Sequence, residues 1–447
     1  MTLADRVQDA RQLLRTAGRR PAVAGHDLWS ASGLETVLPE TVILCLQRCT
    51  AADTLRARGI EVFCLAEHVG AQEVAGASSV DLLSHPATRD FCRRAGPLAL
   101  LSFKPSERLA GTLDGVDALL LAGSLSAARS AENKLAFIDF AERARLRTPR
   151  WAVQRLSPAS RYEELSARWG RPLVIQGARG NAGQRTWMVA SQAELEEAMA
   201  VEGGRPVRVA EFVAGMPFTA SAVAGVRGMV SWIEPCRQLT GIDWLTPVRL
   251  GSCGNVWGDE LLAAAAGDVG EQLREAGDAL SAAGYRGIYG VDFVLGPDGP
   301  VVIETNPRMV ASLPLATHLE KEAGRPPMVL LTLMEGLGTP QQPLSATEMP
   351  PLASACQLIV HQQAGDDAEA RLTRSGIYRL RAAGAPEFLR QGAVLEDVAG
   401  DDEALLLTRA AGEPLSPGKE FARVVMRGRA AATPGARHAV MSLRGRA

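Results

Sequence analysis

Three oxygen-bearing side chains and an arginine lie within residues 290–308, which read GVDFVLGPDGPVVIETNPR. Asp292, Glu304 and Asn306 offer the oxygen ligands that Mg²⁺ favours, since this ion usually takes one or two carboxylates and shares its other positions with water and phosphates. Arg308 adds a permanent, fork-shaped positive charge that suits an anion. The segment therefore predicts a magnesium and triphosphate site.

Residues 288–308 predict a β-hairpin that brings these side chains together. Runs of β-branched and apolar residues flank a Gly-Pro-Asp-Gly-Pro turn centred on Asp298. A register symmetric about that residue pairs Asp292 with Glu304, and the alternation of side chains puts Asn306 on the face of Glu304. Adjacent carboxylates repel each other unless a cation neutralises them, which favours a metal site. The alternative, an exposed acidic pair on a surface hairpin, explains any two of the four polar residues better than all four.

Composition excludes several other classes of protein. The 447 residues are 47% hydrophobic and 22% charged, and a net charge of -2 does not suggest a nucleic-acid partner. No apolar run approaches the roughly 20 residues that cross a bilayer, and the first residues lack the apolar core of a signal peptide. The seven cysteines have no CxxC spacing, which favours reduced thiols over zinc or disulfides. We expect a cytoplasmic protein without a nucleic-acid or membrane partner.

The length predicts two to four domains at about 150 residues each. Residues 1–128 alternate apolar runs with helical stretches, which predicts a small parallel α/β domain. These runs are 42–46, 61–66, 98–103 and 118–122. Residues 129–340 form the predicted core, and a Gly-Thr-Pro-Gln-Gln-Pro stretch after Leu337 precedes an appendage, 341–447, that could recognise substrate.

A glycine-rich turn, residues 177–183, follows an apolar strand that ends at Gln176 and precedes a second apolar strand, 186–189. Glycines such as Gly180 and Gly183 let backbone N–H groups approach phosphate oxygens closely. An ordinary glycine-rich hairpin has the same pattern, because short glycine motifs recur by chance. The position of the turn upstream of the predicted metal hairpin favours phosphate binding.

The hairpin pattern, an Asp followed by Glu-x-Asn-x-Arg, resembles the nucleotide- and metal-binding signature of the ATP-grasp superfamily. The resemblance implies an α/β protein whose ATP-grasp core encloses ATP between two lobes. It also implies a parallel pre-ATP-grasp domain before the core and an additional C-terminal domain after it. In this reading Asp292, Glu304 and Asn306 bind Mg²⁺, Arg308 is catalytic, and the glycine-rich turn folds over the triphosphate.

Two further positions take their roles from the same resemblance. Lys134 follows a predicted helix start at residues 130–133, where ATP-grasp proteins place a lysine that contacts the nucleotide phosphates. A lysine there is otherwise a solvated surface charge. Gln176 stands where most members have a second phosphate lysine, and Arg179 or Arg185 is expected to supply the missing charge.

A strand that ends at Glu211, Phe212 and Val213 resembles the inter-lobe segment whose backbone meets the adenine in this superfamily. Residues 232–257 show few strand signals and predict a long irregular loop. Superfamily members carry a loop here that closes over phosphates and substrate. A plain surface insertion explains the stretch nearly as well.

The order of these motifs looks like that of the pheganomycin-type peptide ligases of actinomycetes. The resemblance implies an enzyme that activates a carboxylic acid with ATP as an acylphosphate and joins it to a peptide amine. The acid would be an unusual amino acid, such as a guanidino-bearing aryl amino acid. The protein could also assemble as a homodimer. A small-molecule kinase, a non-catalytic nucleotide sensor and a structural protein with an inherited fold are the alternatives.

Overall fold

The structure is a computed structural model, and it describes residues 2–180, 183–344, 349–363, 374–381, 385–410, 418–428 and 434–444. The strands are β1 (Arg20–Gly25), β2 (Val42–Cys45), β3 (Glu61–Cys64), β4 (Leu98–Ser102), β5 (Ala118–Leu120), β6 (Trp151–Arg155), β7 (Leu173–Gly177), β8 (Thr186–Val189), β9 (Pro206–Glu211), β10 (Met216–Gly225), β11 (Gly228–Trp232), β12 (Cys236–Thr240), β13 (Ser252–Val256), β14 (Gly287–Gly296), β15 (Gly299–Asn306), β16 (Ala355–His361), β17 (Gly376–Arg379), β18 (Glu387–Arg390), β19 (Glu403–Thr408) and β20 (Glu420–Arg427).

The α-helices are α1 (Leu3–Ala17), α2 (Ala51–Ala57), α3 (Ala66–Val69), α4 (Ser79–Ser84), α5 (Pro86–Ala95), α6 (Glu107–Gly111), α7 (Leu125–Glu132), α8 (Phe137–Arg143), α9 (Tyr162–Trp169), α10 (Gln192–Glu202), α11 (Glu260–Ala264), α12 (Ala266–Ala282), α13 (Leu313–Glu322), α14 (Met328–Gly336) and α15 (Pro434–Leu443). Short 3₁₀ helices occur at Leu34–Thr36 and Leu395–Asp397. Within the ranges described, no helix combines the length and apolarity that a membrane span requires.

A parallel sheet in the order β3-β2-β1-β4-β5 forms the N-terminal part of the fold and confirms the predicted parallel α/β arrangement. Sequence patterns predicted four of its strands but missed β1, which lies at its centre. β1 reads RPAVAG, and proline, alanine and glycine have low strand propensity. Burial within the sheet stabilises the strand instead, as is usual for parallel sheets.

A small antiparallel sheet has the order β6-β9-β7-β8. A larger sheet has the order β15-β14-β10-β12-β13-β16-β20-β19-β17-β18, with β11 beside β10. The C-terminal strands join this larger sheet because β16 pairs with β13, where Gly254 lies opposite Leu358. The predicted appendage therefore extends the sheet that contains the β14–β15 hairpin. The domain boundaries at 128/129 and 340/341 stay predictions.

The prediction of an irregular loop over residues 232–257 was wrong. β12 and β13 lie within this stretch and pair antiparallel, with Gln238 opposite Asn255. Their sequences, CRQLT and SCGNV, are polar and glycine-containing, so they lack a clear strand pattern. Pairing with β10 on one side and β16 on the other stabilises them, because neighbouring strands can override weak propensity.

The predicted helix start at residues 130–133 was also wrong. α7 ends at Glu132, and Asn133 begins a turn in which its Oδ1 accepts hydrogen bonds from the N–H groups of Leu135 (3.0 Å) and Ala136 (3.3 Å). Asparagine side chains compete with the helix backbone in this way and favour turns. Lys134 therefore lies between two helices, and α8 begins at Phe137.

One face of the β14–β15 hairpin is apolar and packs against α12. Val291, Phe293 and Val302 are buried in one cluster with Leu273 of α12. Burying each of these hairpin side chains contributes about 1.5–3 kcal/mol. Since successive side chains alternate between faces, Asp292 projects from the face opposite its neighbours Val291 and Phe293.

Glu320 on α13 is a buried carboxyl group, and burial raises its pKa to about 8 although the charge of Arg325 opposes the shift. Its Oε2 accepts a hydrogen bond from the Met328 N–H at 3.1 Å. The ordinary pKa is 4.5, so between these two values the folded state binds more protons than the unfolded state. The free energy of unfolding should therefore fall as pH rises through this window, by up to about 1.4 kcal/mol per pH unit.

Glu320→Gln is expected to remove this contribution, because the amide keeps an acceptor for Met328 but does not titrate. Urea unfolding from about pH 5 to about pH 8 should show a steeper loss of stability in the native protein than in the variant. Glu271→Gln, at an exposed position of α12, is the control and should keep the native pH dependence. Parallel pH profiles for the native protein and Glu320→Gln would contradict the assignment.

Candidate functional site

The β14–β15 hairpin pairs Asp292 with Glu304, but a β-bulge produces this register rather than a turn centred on Asp298. The turn has two central residues, and the strands pair regularly from the turn as far as Phe293 opposite Val302. Ile303 is then an extra residue in β15, after which Asp292 lies opposite Glu304. A regular hairpin with the same turn would have paired Asp292 with Ile303 and put the two carboxyl groups on opposite faces.

The predicted metal ligands and Lys134 lie in direct contact. Asn306 Nδ2 donates to Asp292 Oδ2 at 3.2 Å. Lys134 Nζ lies 2.6 Å from Glu304 Oε2, and only 7% of the lysine is exposed. The Lys134 N–H donates to the carbonyl oxygen of Ala178 at 3.1 Å. The lysine therefore connects the hairpin to the start of the glycine-rich turn, and it is not a solvated surface charge.

Burial and charge shift the two carboxyl groups in opposite directions. Burial raises the pKa of Asp292, and the charge of Glu304 raises it further. Burial also acts to raise the pKa of Glu304, but the charge and hydrogen bond of Lys134 outweigh it and lower that pKa. The site thus holds a lysine-paired carboxylate beside a carboxyl group whose ionised form is unfavourable.

This donor set fits Mg²⁺. Asp292, Glu304 and Asn306 offer two half-buried carboxyl groups and an amide oxygen, and a divalent cation would relieve the repulsion between the carboxylates. Across the described ranges no group of three or more His, Cys, Asp or Glu side chains is arranged to hold a metal ion. Two carboxylates suffice for Mg²⁺ where phosphates and water complete its coordination.

Arg308 follows β15 and is held by two side chains. Its Nη2 donates to Asn306 Oδ1 at 3.1 Å, and its Nε donates to Glu132 Oε1 at 2.9 Å. The same Glu132 oxygen lies 2.9 Å from Lys104 Nζ, just beyond β4 of the parallel sheet. Sequence reasoning missed Glu132 and Lys104, because only the fold brings these distant positions beside Arg308.

Gln176 in β7 has a partner that sequence reasoning also missed. Arg208 on β9 donates from Nε to Gln176 Oε1 at 2.9 Å, and from Nη2 to the same oxygen. Of the two arginines expected to compensate for the missing lysine, Arg185 pairs with Glu202 and Arg179 is exposed. An arginine within the apolar run VRVAEF was the available signal, since charged residues are seldom buried without a partner.

The glycine-rich turn between β7 and β8 requires glycine at two described positions, while residues 181–182 lie outside the described part. A β-carbon added at Gly180 would overlap the backbone of its own turn. One added at Gly183 would lie 2.6 Å from the carbonyl oxygen of Leu250, and the φ of Gly183 is 79°. These two glycines therefore allow close backbone approach within the turn and against the segment between β12 and β13.

The predicted hinge connects β9 of the small sheet to β10 of the larger sheet. The Glu211 carboxylate accepts hydrogen bonds from the Arg150 N–H at 2.9 Å and from Arg150 Nε at 2.7 Å. Phe212 is 38% exposed and Val213 is half-buried. The three residues thus occupy the crossing between the two sheets, and their contact with adenine stays a prediction.

Residues 131–312 match the family model of the ATP-grasp domain. The chain has the ATP-grasp fold. The matched range contains every residue that the sequence predicted for the site, whereas Lys104 and the strands from β16 onward lie outside it.

Solved structures share this ATP-grasp fold over most of their length. The biotin carboxylase domain of a 2-oxoglutarate carboxylase from Hydrogenobacter thermophilus, in complex with MgADP, ADP and bicarbonate, is 12% identical with a TM-score of 0.61, covering 91% of this chain and 86% of that one. A phosphoribosylamine–glycine ligase from Thermotoga maritima is 15% identical with a TM-score of 0.57, and the match covers 95% of this chain and 96% of that one. An L-amino acid ligase from Bacillus licheniformis is 14% identical with a TM-score of 0.55, and the match covers 92% of this chain and 93% of that one. No curated protein matches the sequence.

Proposed function

We propose that this protein is an ATP-dependent carboxylate–amine ligase that forms an amide bond through an acylphosphate. The observation that carries the proposal is the cluster in which Asp292, Glu304 and Asn306 meet Lys134 at the junction of hairpin and glycine-rich turn. Ligases among the proteins of similar fold support the reaction class.

ATP and Mg²⁺ are the cofactors that the proposal requires. Asp292, Glu304 and Asn306 would hold Mg²⁺, which when bound neutralises phosphate charge and polarises the transferring phosphoryl group. Lys134 would contact the phosphates, which requires it to exchange its carboxylate partner, Glu304, for a phosphate oxygen. The glycine-rich turn would fold over the triphosphate, and the backbone of residues 211–213 would meet the adenine.

The reaction needs no nucleophile from the protein. A substrate carboxylate oxygen attacks the γ-phosphorus of ATP, the bond to the bridging oxygen breaks, and ADP leaves behind an acylphosphate. An amine then attacks the acyl carbon, loses a proton and expels inorganic phosphate to give the amide. Arg308, held between Asn306 and Glu132, would stabilise the oxyanion of the tetrahedral intermediate. Positioning of the two substrates would supply much of the remaining acceleration.

The finer proposal concerns the substrates. We propose that the amine is the amino terminus of a peptide and that the acid is an unusual amino acid, such as a guanidino-bearing aryl amino acid. Its support is the resemblance of the motif order to pheganomycin-type peptide ligases in secondary metabolism. A cytoplasmic location, a homodimer and the division into 1–128, 129–340 and 341–447 belong to the same proposal.

ATP consumption in the presence of Mg²⁺ tests the reaction class. The protein is offered mixed carboxylic acids with and without short peptides, and the products are analysed by mass spectrometry. ADP, phosphate and a product mass equal to acid plus peptide minus water would establish amide formation. A phosphorylated small molecule would instead identify a kinase, and nucleotide binding without turnover would favour a sensor.

A further inference from the structure

Arg208 is a fully buried charge on the small sheet. It is 1% exposed, and its guanidinium lies 4.7 Å from the ring centre of Trp151 and 5.8 Å from that of Phe137. Burial lowers its pKa to about 10, while the charge of Glu304 acts against that shift. The side chain is therefore charged at neutral pH. A charge in such a position is costly unless hydrogen bonds compensate for its lost hydration.

The compensating hydrogen bonds go to two different sheets. Nε and Nη2 donate to Gln176 Oε1 on the small sheet, as described above. Nη1 donates to the carbonyl oxygen of Ile303 on the larger sheet at 3.1 Å. A planar guanidinium can serve both acceptors in a fixed geometry, which a single ammonium group cannot do. Arg208 thus bridges the strand next to the glycine-rich turn and the metal hairpin.

Ile303 is the residue that creates the bulge in this hairpin. An extra residue in a ladder lacks the regular cross-strand partner that its neighbours have, so it depends on other donors. We infer that Arg208 is a positioning residue, which fixes the bulge at Ile303 and thereby the register that puts Asp292 opposite Glu304. The inference rests on the proposed function only for the identity of the bound ion.

Loss of the arginine would disturb the metal site without changing any ligand. If the bulge relaxed, Asp292 would pair with Ile303, and Glu304 and Asn306 would turn to the opposite face of the hairpin. Because the other end of Arg208 is bonded to Gln176, movement of the glycine-rich turn would also be transmitted to this register. Gln176 occupies the position where the resemblance to ATP-grasp proteins implies a phosphate lysine, and here it would connect the glycine-rich turn to the predicted metal ligands.

Arg208→Met tests the inference with two measurements that need no turnover. Mn²⁺ affinity in the presence of ADP, measured by electron paramagnetic resonance, should fall by at least about tenfold, as for other groups that orient metal ligands. Hydrogen–deuterium exchange in the metal-free protein should become faster across residues 299–306. Arg155→Met is the matched control, since this arginine of β6 is exposed and its Nη1 donates to the carbonyl oxygen of Gly204 in the turn before β9, away from the hairpin.

Two further variants keep the test decisive. Arg208→Lys retains the charge but has no fork for both acceptors, so it should recover little of the Mn²⁺ affinity. Gln176→Leu removes the small-sheet partner and keeps the bond to Ile303, so it should change hairpin exchange less than Arg208→Met. If Arg208→Met fails to fold, Arg208→Lys takes its place and should itself show faster exchange across residues 299–306 than the native protein. Native affinity and native hairpin exchange in Arg208→Met would overturn the inference. Absence of Mn²⁺ binding to the native protein would instead count against the proposed function, and the exchange comparison would still decide the role of Arg208.

Discussion

Glu304→Gln is expected to lower the rate of amide formation by at least about 100-fold, because metal ions supply several kcal/mol of charge stabilisation in such reactions. The amide keeps the size of the side chain and an acceptor for Lys134 but loses the charge that holds Mg²⁺. ATP-dependent product formation at saturating Mg²⁺ is the measurement. The loss should appear mainly in kcat, since the same ion would act on the transferring phosphoryl group.

Asp298→Asn provides the matched control for this variant. It makes the same chemical change in the same hairpin, but at an exposed position of the turn, and it should retain native turnover. Unfolding midpoints of both variants establish that the fold is intact. Native turnover in Glu304→Gln would show that this carboxylate does not hold the catalytic ion.

Lys134→Met is expected to destabilise the metal-free protein by about 3–5 kcal/mol, the usual cost of removing one partner of a buried ion pair. The change would leave Glu304 beside Asp292 without the lysine that lowers its pKa. Urea unfolding in the presence of a chelator measures the effect. Lys321→Met, which removes a more exposed lysine paired with Glu396, should cost no more than about 1 kcal/mol.

A double-mutant cycle separates this pair from general packing. Combining Lys134→Met with Glu304→Gln should restore part of the lost stability, because the second change removes the charge that the first leaves unpaired. Additive losses in the double variant would show that the pair does not contribute through its charges. Mg²⁺ with ADP should stabilise Lys134→Met more than the Glu304→Gln variant, since only the former keeps both acidic ligands.

The local parts of the site were predictable from the sequence. Hairpin pairing, alternation of faces and the set of Asp292, Glu304, Asn306 and Arg308 follow from spacing within one short segment. The predicted pairing of the two acids was right although the turn was placed wrongly. The actual turn is tighter than the predicted one, which shifts the pairing by one residue. The bulge at Ile303 shifts it back by one residue, so Asp292 again lies opposite Glu304.

Features that depend on distant segments could not be predicted. Arg208, Glu132 and Lys104 reach the site only through the pairing of sheets and the placing of helices, and no local pattern marks their partners. The same limitation explains why β1, β12 and β13 were missed. Their weak strand propensity is compensated by neighbouring strands that are remote in the chain.

The continuous sheet has a consequence for any attempt to divide the chain. A chain shortened at residue 340 would lose β16, and the backbone N–H and C=O groups of β13 would become an unprotected sheet edge. Such edges recruit strands from other molecules and promote aggregation. The C-terminal strands thus protect an edge of the sheet that would otherwise pair with other molecules. Activity of the ATP-grasp region should therefore be measured in the intact chain.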